Sequence, residues 1–329
     1  MTIREKAPWI TYRPNLKVLD CTIRDGGLIN DHQFEDQFVR AVYDTCVEAG
    51  IDYMEIGYKN SLRLHPKSRF GPWRHCEEDD LRRVVGDHDP RRTGLKLAAM
   101  ADAGKCDWKE QIIPKEQSVL DLIRVACYVH QISEAVAMVQ HAHDLGYETS
   151  CNIMAISTVT EAEIDQALAV LADTPVNTIV VVDSFGSLCG VQIDNLVRKY
   201  LEVGQKKKKE VGIHAHNNMQ LAFANTLEAI IVGCTRADAT MAGLGRGAGN
   251  CPMELLLGFL RNPKFKLRPV IKLLQERLVP LQSELSWGPL IPYNITGQMN
   301  CHPRSAIEFL AGEDSENLLA FYDKVAADI

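Results

Sequence analysis

Eight short apolar runs lie between residues 16 and 262, and all but the third are followed by a helical pattern; this alternation constrains the fold more than any other feature. The runs are rich in β-branched residues, as in the segment NTIVVVDSFG (177–186), which predicts strands that are buried on both faces. The predicted strands cover residues 16–22, 51–57, 94–100, 120–127, 147–155, 177–186, 211–217 and 235–243. The helical patterns cover residues 34–49, 77–86, 133–146, 160–173, 190–204, 219–234 and 251–261.

Strands that alternate with helices and are apolar on both faces indicate a parallel sheet in an α/β protein. Eight such units in roughly 250 residues predict a closed (β/α)8 barrel, a TIM barrel, with an open doubly wound sheet as the alternative. We expect a barrel domain over residues 16–262 and a helical C-terminal extension over residues 263–329, where the strand pattern is missing. In such barrels the chemistry lies at the C-terminal ends of the strands.

Composition and charge exclude several classes of partner. The formal net charge is -7 and the pI is near 5.8, which argues against nucleic acid or an anionic membrane surface as a partner. We find no run of about eighteen apolar residues and no signal-peptide pattern at the N-terminus, so we expect no membrane span and a cytoplasmic protein. The 10 cysteines form no CxxC pair and several stand in apolar runs, which fits reduced, buried thiols.

Two histidines mark the end of the seventh predicted strand, VGIHAHNN (211–218). Because side chains alternate along a strand, His214 and His216 leave the same face. Two converging imidazoles are half of a metal site, and their place after an apolar strand favours this over hydrogen-bonded core histidines. Asp25, at the exit of the first strand, completes a set of two histidines and one carboxylate that suits Mn²⁺ or Mg²⁺. Alone, Asp25 would be interpreted as a turn residue before two glycines.

Further candidates lie beside these ligands. Arg24 offers a rigid fork of donors that can hold a carboxylate or stabilise an enolate oxygen, with a surface arginine as the alternative. The eighth strand leads into GLGRGAGN (243–250), whose glycines let the backbone approach a ligand and whose Asn250 can offer an oxygen. A dinucleotide site is excluded because no later βα unit supplies an acid for the ribose.

Three segments together resemble the motifs of a known family: LDCTIRDGG (19–27), IHAHNN (213–218) and GLGRGAGN (243–250). They are similar to the metal-dependent lyases and synthases related to hydroxymethylglutaryl-CoA lyase and isopropylmalate synthase. Within that group the chain most resembles the 4-hydroxy-2-oxovalerate aldolases, most strongly over residues 120–262.

The resemblance implies a ligand set and a group of active-site residues. Asp25, His214 and His216 would bind a divalent metal, Mn²⁺ or Mg²⁺, with Asn250 as a further oxygen ligand. Arg24 would stabilise the enolate, and Ser184 and Glu55 would contact the substrate. The extension would contribute Tyr293 to the pocket. Apart from the resemblance, His302 of the extension is a further catalytic candidate, for the role of the base.

The implied reaction is aldol addition or retro-aldol cleavage next to a 2-oxo acid such as pyruvate, with an aldehyde as the second small-molecule substrate. The metal would act as a Lewis acid on the enolate. A homo-oligomer, most simply a dimer, is expected. An aldehyde dehydrogenase partner, which the family's aldolases are linked to, is not supported because this chain departs from their pattern.

That departure is Leu28, which stands where these aldolases carry a histidine three residues after the metal-binding aspartate. The candidates for the missing base are His65, His75, His302 and Tyr293. Glu55 matches an acidic strand-end position of the wider group, with a buried structural carboxylate as the alternative. The loop FGPWRHC (70–76) is expected to overhang the barrel mouth and to set specificity.

Four other functions stay open. A Claisen-type synthase joining an acyl-CoA to a 2-oxo acid shares the motifs but usually carries a longer C-terminal region. A metal-dependent hydrolase commonly has its HxH on the first strand. A Schiff-base aldolase would use Lys59 or Lys96 and would leave the metal triad unexplained. A non-catalytic binding barrel would be expected to have lost a ligand, and all three are present.

Overall fold

The computed structural model describes residues 13–260 and 262–327 of the 329-residue chain. Within these residues, eight parallel strands pair in chain order and the first also pairs with the last, so the sheet closes into a barrel. This confirms the predicted (β/α)8 fold. The strands are β1 (Lys17–Asp20), β2 (Tyr53–Tyr58), β3 (Lys96–Asp102), β4 (Leu122–Cys127), β5 (Glu148–Ile153), β6 (Thr178–Asp183), β7 (Glu210–Ala215) and β8 (Arg236–Ala239).

Helices follow the strands and continue beyond the barrel. Those of the barrel are α1 (Thr22–Gly26), α2 (Asp36–Ala49), α3 (Glu78–Val85), α4 (Pro90–Thr93), α5 (Trp108–Gln111), α6 (Ile132–Asp144), α7 (Glu161–Ala172), α8 (Gly190–Lys207), α9 (Ala222–Val232) and α10 (Met253–Leu260). Those after the barrel are α11 (Leu267–Leu273), a π-helix (Leu274–Leu278), α12 (Val279–Leu281), α13 (Ile291–Gln298), α14 (Arg304–Leu310) and α15 (Leu318–Ala327). Short 3-10 turns occur at Gly27–Ile29, Pro72–Arg74, Lys115–Gln117, Val129–Gln131, Ile156–Thr158 and Met241–Gly243.

The barrel forms because its strands are apolar on both sides. Leu19, Tyr53 and Leu122 pack together in the barrel interior, while their neighbours Val18 and Met54 belong to the large core beneath the helices. Side chains that alternate along each strand therefore supply two separate cores. This arrangement explains why the strands appear as continuous apolar runs in the sequence.

Local chemistry sets the ends of the helices. Helix α2 ends at Gly50, whose φ of 73° is left-handed and whose added Cβ would lie 2.6 Å from the Lys264 carbonyl oxygen. A glycine is required there for both reasons. The predicted capping box of α7 is confirmed, with the Glu163 carboxylate accepting from the Thr160 N–H at 3.0 Å.

The first and last strands are shorter than predicted. The chain leaves β1 at Asp20, whose carboxylate accepts from the N–H of Thr22 at 3.1 Å and from its hydroxyl at 2.6 Å. These bonds turn the chain into α1, so Asp25 lies on a short helix. The Thr22 hydroxyl in turn accepts from the Met241 N–H at 2.9 Å, just after β8 ends at Ala239. One threonine thereby ties together the exits of β1 and β8.

The helices after the barrel cover part of its C-terminal mouth. The Trp287 indole N–H donates to the carbonyl of Ala242 at 3.0 Å, and the Asn294 amide donates to the carbonyl of Asn218 at 2.6 Å. Gly297 of α13 lies against Asn218, where an added Cβ would be 3.1 Å from the Asn218 Cβ. The predicted helical extension is therefore seated on the loops that follow β7 and β8. The exact domain boundary at residue 262 stays a prediction.

Two expectations concern membranes and targeting. Among the described residues, no helix is both long enough and apolar enough to cross a membrane. The N-terminal segment in which no signal peptide was found (residues 1–12) lies outside the described residues.

Candidate active site

The two predicted histidines and the predicted aspartate meet at the C-terminal end of the barrel. His214 lies in β7, His216 follows that strand, and Asp25 lies on α1. Oδ2 of Asp25 is 3.5 Å from Nε2 of His214 and 3.9 Å from Nε2 of His216. All three side chains are buried, and they offer ligand atoms within 4.8 Å of one another.

The hydrogen bonds of His214 indicate which kind of ligand fits between its Nε2 atom and the Asp25 carboxylate. Its Nδ1 lies 3.2 Å from a carboxylate oxygen of Asp238, so Nδ1 is assigned the ring proton and Nε2 a lone pair. That lone pair faces the Asp25 carboxylate, and within the described part of the chain the buried Nε2 has no hydrogen-bond partner. Two acceptors facing each other in a buried site need a positive charge between them, which either a proton on the histidine or a metal ion can supply. The donor set of two imidazoles and a carboxylate fits a divalent ion.

The protonation states agree with a ligand set. Burial opposes ionisation of Asp25, but the charge of Arg24 holds the pKa of its carboxyl well below the usual range. Burial keeps the pKa of His216 well below the usual range of histidine, so its ring is neutral. Burial would also lower the pKa of His214, yet the Asp238 and Asp25 carboxylates raise it. His214 therefore attracts a positive charge at the point where a metal ion would lie.

A buried network of charges supports the ligands from below. Arg24 donates from Nε to Glu55 at 2.6 Å and from Nη1 to Asp25 at 2.5 Å. Arg124 donates to Glu55 at 3.0 Å and also to Asp238. Each charge thus has an opposite charge in contact, which buried ions require. The network fixes both Arg24 and His214, the latter through Asp238.

Cys21, His214 and Asp238 form a second group with the spacing of metal ligands. Burial raises the pKa of the Cys21 thiol well above its usual range, so this side chain is not a thiolate. Asp238 is already engaged by Arg124 and His214. We interpret this group as support for His214 and not as a separate metal site.

The glycine loop after β8 brings Asn250 beside Asp25. His216 and Asn250 form an isolated antiparallel bridge. The side-chain oxygen of Asn250 is buried without a partner, while its Nδ2 donates to the Leu244 carbonyl at 3.3 Å. A Cβ at Gly245 would lie 2.1 Å from Asn250 Nδ2 and 2.6 Å from Asp25 Oδ1. The loop therefore carries glycine where a side chain would displace these two groups.

A cavity of about 60 Å³ opens directly above the ligands. It is lined by Arg24, Asp25, Leu28, Tyr58, Met100, Ala126, Asn152, Met154, Val182, Ser184, His214, His216 and Arg246. Larger clefts lie elsewhere, such as one of about 670 Å³ at the opposite end of the barrel that includes Lys17 and Glu210. The small cavity combines buried histidines with carboxylate and arginine side chains, as a catalytic site requires.

Of the three residues predicted to contact the substrate, two line the cavity and one lies beneath it. Arg24 and Ser184 line the cavity, as expected. The Ser184 hydroxyl accepts from the Ala155 N–H at 2.8 Å and keeps its own proton for a ligand. Glu55 is fully buried beneath Arg24 and does not line the cavity. Its carboxylate contacts Arg24 and Arg124 and balances their positive charges.

The other candidates lie outside the cavity. Tyr293 is buried among side chains that include Ala248 and Phe321, and His302 contacts the cavity residue Arg246. Leu28 lines the cavity at the position that departs from the family pattern. The structure also places two other candidate bases and both candidate Schiff-base lysines away from the cavity: His65, His75, Lys59 and Lys96.

The contacts of these four side chains show why they do not reach the cavity. His65 lies 2.8 Å from Arg74, and His75 lies 2.9 Å from the Asn60 carbonyl. Lys59 donates to the carbonyl of Cys76 at 2.7 Å. Lys96 bonds to Glu148 at 2.8 Å where β3 and β5 begin, at the far end of the barrel. The geometry offers no support for a Schiff base at either lysine.

Sequence reasoning missed four residues of the site. Tyr58 and Arg246 line the cavity, and Arg124 and Asp238 support its ligands. Arg246 could have been noticed as the one charged residue inside the glycine loop. Arg124 could have been noticed as a charged residue within an otherwise apolar strand, and Asp238 as an acid within the eighth predicted strand, since such residues are rarely buried without a partner.

Comparisons with known proteins identify a matching family model and similar enzymes. A family model described as HMGL-like matches residues 15–275. The oxaloacetate decarboxylase of Mycobacterium tuberculosis is 30% identical over 247 residues, which cover 74% of this chain and 69% of that protein. The 4-hydroxy-2-oxovalerate aldolase of Pelotomaculum thermopropionicum is 28% identical over 254 residues, which cover 77% and 72%.

Solved structures agree with the fold. A domain from Bacteroides vulgatus, to which an aldolase role was provisionally assigned, superposes with a TM-score of 0.76 at 26% identity, covering 93% of this chain and 100% of that chain. The HMG-CoA lyase of Bacillus subtilis superposes with a TM-score of 0.67 at 15% identity, covering 85% and 96%. The latter likeness concerns the fold alone.

Proposed function

Because this chain belongs to the HMGL-like family, we propose that it is a divalent-metal-dependent lyase that breaks or forms the carbon–carbon bond next to a 2-oxo acid. The observation that carries this proposal is the pair of facing acceptors, Nε2 of His214 and Oδ2 of Asp25, buried 3.5 Å apart beside His216. The relatives named above are lyases, which favours a lyase over a Claisen-type synthase.

Asp25, His214 and His216 would hold the ion, with the orphaned oxygen of Asn250 close by. When bound, Mn²⁺ or Mg²⁺ supplies a Lewis acid that polarises the keto oxygen of the substrate. The buried ligands exclude water from that point, which strengthens every electrostatic contact there.

Arg24 would stabilise the charge that develops on the 2-oxo acid when the bond breaks. Its Nε and Nη1 are held by Glu55 and Asp25, and its guanidinium lines the cavity. A preorganised donor of this kind does not reorganise during the reaction, which is why such groups lower barriers. Ser184 would donate its hydroxyl proton to the substrate.

Decarboxylation of a 2-oxo acid is a second candidate, and Leu28 is the observation that favours it. A retro-aldol step needs a base to take the proton of the substrate hydroxyl, whereas loss of CO₂ leaves its electron pair in the same enolate without a base. The cavity presents Leu28 where family aldolases carry a histidine. The named relatives include both reaction types.

The helices after the barrel would complete the active site, because Arg246 of the cavity contacts His302 at 3.2 Å. We also propose that the chain works as a homo-oligomer, since exposed apolar side chains such as Leu255, Ile271 and Val279 lie on the helices at and beyond the end of the barrel.

The test is exchange of solvent deuterium into the methyl group of pyruvate, followed by NMR with Mn²⁺ or Mg²⁺ and again after chelation. This measurement reports enolisation and does not require the second substrate. We expect exchange that depends on metal and that His214→Ala abolishes. Exchange that persists after chelation, or in the variant, would contradict the metal triad. If borohydride traps a covalent adduct of pyruvate with a lysine, the enzyme uses a Schiff base and the metal mechanism is wrong.

A further inference from the structure

Arg246 is a cation of the cavity that faces no acid. Its guanidinium donates from Nη2 to the Ser184 carbonyl at 3.0 Å and approaches His302 with Nη1 at 3.2 Å. Among the described residues its buried Nε has no hydrogen-bond partner and its guanidinium forms no ion pair, although the backbone N–H of Arg246 donates to Asp25 Oδ1 at 3.1 Å. Arg24, in contrast, contacts two carboxylates. A partly buried guanidinium without an opposite charge is costly unless a ligand supplies that charge.

His302 is not the acceptor that Arg246 lacks. Its Nδ1 accepts from the backbone N–H of Arg304 at 3.0 Å, so Nδ1 carries the lone pair and Nε2 carries the ring proton. Nε2–H and the Nη1–H of Arg246 are therefore two donors 3.2 Å apart. Burial, then the nearby charges of Arg246, Arg304 and Lys105, lower the pKa of His302 to about 4, so the ring is neutral near pH 7.

An anionic oxygen placed between these donors would accept from both. Arg246 lines the cavity from the glycine loop, and His302 contacts Arg246 just outside the cavity from the segment between α13 and α14, so the two donors come from parts of the chain that meet only in the fold. Two nearby side chains are positive, Arg304 and Lys105, although Lys105 also lies 3.6 Å from a carboxylate oxygen of Asp102. Arg304 and Lys105 are close enough to influence His302, which attracts an anion to this side of the mouth.

We propose that Arg246 and His302 bind a second acidic group of the substrate, so that the preferred substrate is a 2-oxo acid carrying another carboxylate or a phosphate. This inference rests on the proposed function, in which the 2-oxo acid unit lies at the ligand set and Arg24. The bound group would stay on the fragment released as an aldehyde. It would not be the group lost as CO₂, because contact with a guanidinium stabilises a carboxylate and not the neutral product.

The test compares matched 2-oxo acids by calorimetric titration of the protein in saturating Mn²⁺. 2-Oxoglutarate and 2-oxopentanoate have the same five-carbon chain and differ in the terminal carboxylate, and phosphonopyruvate tests a phosphate-like group. We expect the wild type to bind 2-oxoglutarate or phosphonopyruvate at least about tenfold more tightly than 2-oxopentanoate, as for a charged hydrogen bond. Whichever of 2-oxoglutarate and phosphonopyruvate binds more tightly shows whether the second acidic group of the substrate is a carboxylate or a phosphate.

Three variants test which side chains cause the preference for a second acidic group. Arg246→Met should reduce the preference to within about twofold and weaken binding of 2-oxopentanoate much less than binding of 2-oxoglutarate, because the charge-assisted bonds to the second acidic group are lost. His302→Phe keeps a ring but removes the N–H, and it should reduce the preference in part. Arg304→Met is the matched control, since its exposed side chain contributes only to the general field; it should keep most of the preference.

Three results would overturn the inference. The first is equal binding of both dianions and 2-oxopentanoate in the wild type. The second is an Arg246→Met variant that weakens 2-oxopentanoate as much as 2-oxoglutarate, which would assign Arg246 to the shared 2-oxo acid unit. The third is no metal-dependent binding of any 2-oxo acid, pyruvate included, which would also contradict the proposed function. Pyruvate binding and exchange without a preference for dianions would contradict this inference alone.

Discussion

The Nδ1 atom of His214 lies 3.2 Å from a carboxylate oxygen of Asp238, which aims the opposite nitrogen of the ring at Asp25. Asp238 itself contacts Arg124, so its position is fixed from the other side. A carboxylate behind a metal-binding histidine sets its tautomer and raises its basicity. Asp238 is thus a positioning residue for the proposed metal site.

Asp238→Asn should lower the affinity for Mn²⁺ by about 10–100-fold, the usual effect of losing such a partner. Titration with Mn²⁺, following the free ion by electron paramagnetic resonance, measures this. Cys21→Ala is the control, because the Cys21 sulfur lies 3.9 Å from the same Nδ1 but does not hold its proton. Wild-type affinity in Asp238→Asn, or an equal loss in Cys21→Ala, would contradict the role of Asp238.

Arg24→Lys should reduce the rate of pyruvate deuterium exchange by roughly 10²–10³-fold, as for a lost oxyanion donor. Lysine keeps the charge, but it cannot contact Glu55 and Asp25 together as the guanidinium fork does. Affinity for Mn²⁺ should change much less than the rate. If the rate is unchanged at saturating metal, Arg24 does not act on the reacting atoms.

Gly245→Ala should weaken Mn²⁺ binding by about tenfold or more without changing any ligand. The new Cβ would lie 2.6 Å from Asp25 Oδ1 and 2.1 Å from Asn250 Nδ2, and overpacking of this kind costs about 1–3 kcal/mol. Gly190→Ala is the matched control, because a Cβ there meets nothing within 4 Å. If calorimetry shows that Gly245→Ala binds Mn²⁺ as tightly as the wild type, the loop can shift to accommodate the new Cβ and the prediction is wrong.

Asp20→Asn should change how stability depends on pH. Burial raises the pKa of Asp20 from 3.8 to about 7, although hydrogen bonds from Thr22 oppose this. Between these values the folded protein keeps a proton that the unfolded chain has released, so Asp20 makes the wild type less stable as the pH rises from about 4 to about 7, by up to about 4 kcal/mol.

Denaturant unfolding of the wild type and Asp20→Asn across this pH range measures the effect. The difference between the two free energies of unfolding should shift in favour of the variant from about pH 4 to about pH 7 and stay constant above that. A difference that does not vary with pH would show that Asp20 ionises normally in the folded protein. The comparison cancels the titration of all groups that the two proteins share.

The sequence by itself determined the barrel and the core of the site. Strands buried on both faces leave a strong signal, because apolar runs such as that of residues 178–183 have no polar face to present. The HxH spacing of His214 and His216 required only the two-residue period of a strand. Asp25 followed from the rule that strand ends meet at one mouth of the barrel, even though it lies on α1 and not on the strand.

Only the tertiary structure decided which charges support the site and which face the cavity. Glu55, Arg124 and Asp238 lie on strands that are not all adjacent in the sequence or in the sheet, and their contacts cross the barrel interior. Tyr293 and His65 had the right chemistry for a base, but packing placed both outside the cavity. The meeting of Arg246 with His302, which are 56 positions apart, depends on how the helices after the barrel sit on its mouth. Such contacts are set by packing between distant segments, and no local pattern in the sequence encodes them.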